Sequence, residues 1–149
     1  IMEFVIDKDE KLFLLESVPE FGGEFIPDVM IPAATGYNHI RNSINASTGI
    51  NFREPGKKFL NVPVVVKYIT GEHGILASCN TDTVKKLNGI IFSRIFKDIG
   101  ANISPPASNH DRLGVIVAKG KTLEDAIEIA EFAESKMNIR IRKNETNEN

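Results

Sequence analysis

The sequence predicts an α+β protein: an antiparallel hairpin with helices, followed by a small α/β subdomain. Three observations carry this. Residues 4–6 and 12–15 are short apolar runs on either side of the polar, turn-forming Asp7-Lys8-Asp9-Glu10-Lys11, the pattern of a β-hairpin. Residues 62–69 form a β-branched run of strand character. Leu123, Ala126, Ile127, Ala130, Ala133 and Met137 recur at the spacings of one helix face, with Glu124, Glu128, Glu131 and Glu134 turned to water.

The hairpin sets the first lobe. If its turn is centred on Asp9-Glu10, Lys8 pairs with Lys11 and Glu3 comes to lie opposite Glu16, whereas a three-residue loop would break that match. Carboxylates facing each other across adjacent strands repel. They are read either as solvated strand ends or as a pair held by a cation between them. Mg²⁺ suits the second reading, because it takes one or two carboxylates and leaves its other positions to phosphates and water. Ser17-Val18-Pro19-Glu20-Phe21-Gly22-Gly23 then leaves the second strand, and such glycines permit positive φ or close approach to a ligand. Residues 24–28 open a helical pattern that ends at Gly36, with Pro32 kinking or shortening it. A second helix is expected over 37–47, with Tyr37, Ile40, Ile44 and Ser47 on one face, ended by Gly49.

The polar, turn-rich stretch 50–58 marks a lobe boundary, giving lobes 1–55 and 56–143 and a polar tail 144–149. In the second lobe, strands are expected over 62–69, 75–78, 90–97, 112–118 and 139–142, the last at a sheet edge, with a buried helical turn as the alternative for 90–97. A short helix is expected over 81–87, capped by Asn80 or Thr81, and a Pro-rich loop over 102–111. Thr122 with Asp125 resembles a capping box and starts the long helix, which Asn138 ends.

The 149 residues fit one domain or two small lobes, and the hydrophobic share of 42% is enough to build a core. A net charge of −2 argues against a nucleic-acid partner. No apolar run approaches the roughly 20 residues of a membrane span, and no secretion leader is visible. A single cysteine, Cys79, allows no intrachain disulfide and points to the cytoplasm; it reads as a small buried hydrophobe. His39, His73 and His110 lack ligand spacing. Of the arginines, Arg94 and Arg112 have forks suited to phosphate or carboxylate, and Arg112, opening a strand after the Pro-rich loop, is the better placed.

Glu3, Glu16, Pro19, Gly22-Gly23, Ile26-Pro27 and Ala34-Thr35-Gly36, in this order, resemble the end of the catalytic domain of ATP-grasp enzymes. The likeness is to carboxylate–amine ligases, including amino-acid ligases, and to biotin-carboxylase-like and carbamoyl-phosphate-synthase-like proteins. The stretch 111–126, with Thr122-Leu123-Glu124-Asp125-Ala126, is similar to their closing subdomain. The resemblance implies Glu3 and Glu16 as metal ligands. It implies Gly22, Gly23 and Glu20 at the phosphates or substrate, where Arg112 is placed by the chemistry of its own fork, with ATP and Mg²⁺ as cofactors and small-molecule carboxylate and amine substrates. It names no catalytic acid or base and admits a homodimer. The metal-binding Asn of the family's motif falls here on Val18, and its Arg falls on Glu20. Gly22-Gly23-Glu24-Phe25 also spells the signature of diguanylate cyclases, but Ile26-Pro27-Asp28 breaks the strand that should follow it.

The function implied is ATP-dependent formation of an acyl phosphate and then of an amide-type bond. The first residue is Ile and an upstream nucleotide-binding lobe is not seen, so the chain is expected to be the C-terminal part of such a ligase. The alternative, favoured by Val18 and Glu20, is a binding or assembly module without turnover.

Overall fold

The computed structural model describes residues 1–50 and 60–143. The expected lobe boundary near 55 and the tail 144–149 lie outside the described residues. The chain opens with the antiparallel hairpin β1 (Met2–Ile6) and β2 (Leu12–Ser17). A wide helical turn, Ile26–Met30, leads into helix α1 (Ile31–Thr35), and helix α2 (His39–Ser47) follows. Residues 64–142 then form two three-stranded antiparallel sheets. One has the order β3 (Val64–Ile69), β7 (Gly114–Lys119), β5 (Ile90–Ile95). The other has the order β6 (Asn102–Ile103), β4 (Gly74–Ser78), β8 (Arg140–Arg142). Helix α3 (Leu123–Lys136) packs on β7 and β3. The result is a mixed fold of antiparallel sheets and helices, as the sequence predicts. Among the described residues no helix is long and apolar enough to cross a membrane.

Strand β7 is the centre of its sheet. Gly114, Val115, Ile116, Val117 and Ala118 are all buried, so both of its faces are covered. Helix α3 meets the core with Ala126, Ala130, Ala133 and Met137, each at most 1% exposed. Three alanines let the helix axis come close to the sheet, and Met137 fills the space beyond them. Leu123 and Ile127, expected on the same face, are 52% and 42% exposed, so the apolar stripe is narrower than the sequence spacing suggests. Glu134, assigned to water, instead pairs with Lys67 of β3 at 3.3 Å. Ile69, Leu76, Val84, Ile103, Leu113 and Ile116 join the two sheets into one core. Each such side chain contributes about 1.5–3 kcal/mol on full burial. Cys79 packs at the margin of this core, as a small hydrophobe should.

Local chemistry accounts for the element ends. The Thr122 hydroxyl accepts from the Asp125 amide at 3.1 Å, and the Asp125 carboxylate accepts from the Lys121 amide at 2.7 Å. The shorter Asp thus satisfies the residue before the cap, where a Glu would reach back to the cap itself. The helix expected over 81–87 is only a 3-10 turn, Val84–Lys86, because Asn80 Oδ1 takes the Asp82 amide locally and the next residues stop at Leu87. Residues 90–95 are strand, and β8 lies at a sheet edge as expected. In α2 the buried position is Asn42, whose amide donates to Asn38 O at 2.9 Å. Tyr37 and Ile40 are half-buried, but Ile44 is 57% exposed and Ser47 is exposed, so only the N-terminal half of the expected face is covered. Pro32 has no N–H for Asp28 O, and the helix enters through i→i+5 bonds, Met30 N to Phe25 O at 2.7 Å and Ile31 N to Ile26 O.

Two outcomes test these contacts. A Cβ on Gly120 would lie 2.4 Å from the Ala126 amide nitrogen, so Gly120→Ala is expected to destabilise the fold by about 1–3 kcal/mol in denaturant unfolding. Asp111 accepts from the Ser108 amide, the Ser108 hydroxyl and the Ala107 amide, and these bonds hold its carboxyl below the usual carboxylate range. A depressed carboxyl supports its turn at any pH above the ordinary value of about 3.9 and loses that support as acid protonates it. The Ser108 amide resonance is therefore expected to hold its position at neutral pH and to shift only in stronger acid. In Asp111→Asn the shift should be absent.

Candidate functional site

The hairpin brings Glu3 and Glu16 opposite each other, but not by the loop expected. Asp7 N donates to Lys11 O at 3.0 Å and Glu10 N to Asp7 O at 3.1 Å, which makes a three-residue loop of Lys8, Asp9 and Glu10. Glu10 takes a left-handed φ of 60°, and Asp7 Oδ1 accepts from the amides of Asp9 and Lys11, both at 2.9 Å. The loop sets Ile6 against Leu12, Val5 against Phe13 and Phe4 against Leu14, one step away from the match. A bulge then inserts Leu15, and Glu3 meets Glu16 after all. Residues directly opposite in an antiparallel pair share a face, with Cβ atoms roughly 5 Å apart. Every residue of both strands is exposed, including Phe4, Phe13, Leu14 and Leu15.

Gly22 has a φ of 106°, a conformation that L side chains rarely adopt, and it lies against Ile26 at the entry to the wide turn. A Cβ on Gly23 would meet open space. Glu20 is exposed in the same loop. Phe25 is also left-handed, with a φ of 63°, and its ring packs on Phe92 of β5 at 5.3 Å. That contact brings the loop against β5. His39 stacks edge-on against Phe21 at 5.2 Å.

Arg112, two residues before β7, does not meet Glu20. Its partner is Glu24: Arg112 Nη1 donates to Glu24 Oε2. The guanidinium also lies over the Tyr68 ring at 3.6 Å and donates from Nη2 to Asn109 Oδ1 at 2.6 Å. Tyr68 Oη donates to the same Glu24 Oε2 at 3.2 Å. Burial pushes the Tyr68 phenol above its ordinary value, against the opposing charge of Arg112; the bond to Glu24 adds to the rise. The cluster borders a cleft of about 400 Å³ formed by Glu24, Phe25, Phe96, Lys97, Asn109, His110 and Arg112. Lys97 Nζ donates to His110 O at 3.1 Å on the same rim. Arg94, the other arginine considered, stands exposed on β5.

Sequence reasoning reached Arg112 but missed Glu24, Tyr68 and Asn109. Glu24 lies in the stretch expected to open a helix and inside the tetrapeptide shared with diguanylate cyclases, and neither pattern marks it as the partner of an arginine. Tyr68 is the one aromatic residue in Val64–Ile69, and nothing in the sequence says that Arg112 lies over it. Glu24 and Arg112 are 88 residues apart. No group of three or more metal-ligating side chains occurs among the described residues, so two carboxylates are the largest donor set the hairpin offers. That set fits Mg²⁺, which needs only one or two carboxylates when phosphates and water complete its sphere.

The fold is similar to three solved structures. Against phosphoribosylglycinamide synthetase from Anaerococcus prevotii the TM-score is 0.78 at 18% identity. Against L-amino acid ligase from Bacillus licheniformis it is 0.70 at 16%. Against N5-carboxyaminoimidazole ribonucleotide synthetase from Thermotoga maritima it is 0.58 at 15%. Each match covers 95% of this chain and 36% of the other, so the chain spans about a third of the length of these proteins. No curated protein matches the sequence. The fold is that of the C-terminal part of ATP-grasp ligases. The family described as L-amino acid ligase C-terminal domain 2 matches residues 67–142, just over half of the chain, and the chain belongs to that family.

Proposed function

We propose that the chain is the C-terminal part of an ATP-dependent carboxylate–amine ligase of the cytoplasm. In this reading an acid is activated as an acyl phosphate and then attacked by an amine to give an amide-type bond. The observation that carries the reading is the register of Glu3 with Glu16 beside the Gly22 bend, in a chain of the amino-acid-ligase family. Glu3 and Glu16 would hold Mg²⁺, which when bound supplies positive charge to the phosphates. The two carboxylates fix the position of the site on the hairpin. Gly22 and Gly23 let backbone amides approach an oxyanion without a side chain in the way. Arg112, fixed over Tyr68, presents a fork suited to the acid. The bare apolar faces of the hairpin support the same reading, since two strands alone bury too little to be stable and gain from a larger sheet.

A second reading is a binding or assembly module without turnover. It is favoured by Val18, which cannot coordinate a metal, and by Glu20, which puts a negative charge where the related motif carries an arginine. Mg²⁺-dependent ATP hydrolysis by the intact protein, stimulated by candidate acids and amines, distinguishes the two. In that protein Glu16→Gln is expected to lower product formation roughly a hundredfold or more, as removal of several kcal/mol of charge stabilisation should, and to leave the circular dichroism unchanged. Turnover at the wild-type rate would remove the metal assignment.

A further inference from the structure

The Arg112 cleft contains an anion of its own, and that carries the argument beyond the ligase reading. Arg112 is held in place by two contacts that do not involve Glu24: the Tyr68 ring under its plane at 3.6 Å and Asn109 Oδ1 on Nη2 at 2.6 Å. Its side chain is only 20% exposed, whereas that of Glu24 is 54% exposed. Glu24 reaches Arg112 from the loop that follows Gly22-Gly23, and a single oxygen, Oε2, accepts from both Nη1 and Tyr68 Oη. The arginine is thus fixed and partly dry, and its acidic partner is the more removable of the two. A guanidinium edge with a phenol beside it is a general receptor for a carboxylate.

The remaining walls say what such a carboxylate would be attached to. Phe25 and Phe96 face the 400 Å³ cleft, and Phe96 is 41% exposed although its ring is fully apolar. The volume suits a small molecule, and a site with two aromatic walls and a few polar groups at one end favours an apolar body with one charged end. We propose that the Arg112 cleft is a carboxylate subsite in which Glu24 is the resident occupant, and that it takes a small acid with an apolar body whose carboxylate displaces that of Glu24. This rests on the ligase reading for its purpose, as a description of the acid substrate. Binding itself requires neither ATP nor Mg²⁺.

The test is titration of the intact protein with 3-phenylpropionate, followed by calorimetry and by chemical-shift changes of the Phe25, Tyr68 and Phe96 rings. Glu24→Gln removes the competing charge and leaves the walls intact, so it is expected to tighten binding roughly three- to fivefold, the weight of a partly exposed ion pair. Unchanged or weaker binding in Glu24→Gln overturns displacement and makes Glu24 a structural clasp. Arg112→Lys keeps the charge but loses the fork, and binding should fall at least about tenfold; binding at the wild-type level overturns the assignment of Arg112. 3-Phenylpropionamide should not bind, and inorganic phosphate should bind more weakly than the acid. Equal binding of the amide removes the carboxylate, and equal binding of phosphate removes the apolar body. Loss of turnover in Glu16→Gln with this binding intact would separate the metal site from the subsite.

Discussion

The burial of β7 on both faces is the constraint from which the packing of residues 64–142 follows. A strand with five consecutive buried residues must be flanked by paired strands and covered above and below. Strands β3 and β5 satisfy its backbone on either side, and α3 covers it through alanines small enough for close contact. Position then passes along the chain. Leu113 is fully buried immediately before β7, and its amide donates to Ile69 O at 2.8 Å. With Leu113 fixed, Arg112 is fixed next to it, and β3 brings Tyr68, the neighbour of Ile69, under the guanidinium. The geometry of an exposed site is therefore set by a dry core one residue away.

Residues 1–47 meet the sheets of residues 64–142 through side chains with different physics. Phe25 on Phe92 supplies apolar contact without much specificity. The Glu24, Tyr68 and Arg112 cluster supplies direction, since charge-assisted bonds and a stacked cation each tolerate little displacement. Backbone bonds from Leu60 N to Thr35 O and from Val62 N to Ala34 O tie the start of the second lobe to the end of α1. A cleft lined from both sides is the consequence, and its charged groups come from segments that are remote in sequence.

The hairpin reaches its acidic pair through two irregularities that cancel. A left-handed Glu10 closes a three-residue loop, which alone would put Glu3 beside Leu15. The extra residue at Leu15 restores the pairing. Glu3 and Glu16 thus pair near the end of the hairpin from which the Gly22 loop departs. The pairing was inferred correctly from the sequence, but for the wrong reason, because a loop length read from polar residues cannot reveal a bulge four residues beyond it.

What the sequence determined by itself was local. Alternation marked the strands, the Thr122 spacing marked the long helix, and the order of Glu3, Glu16 and the glycine pair marked the family. These features depend on neighbours within a few residues, or on motif order along the chain. Tertiary structure decided which faces are dry. It exposed Ile44 and Leu123, paired Glu134 with Lys67, and shortened 81–87 to a single turn. It also brought Arg112 to Glu24. The reason is physical: an ion pair across 88 residues exists only once β3, β7 and the Gly22 loop have been packed into place, and no pattern in the intervening chain encodes that distance.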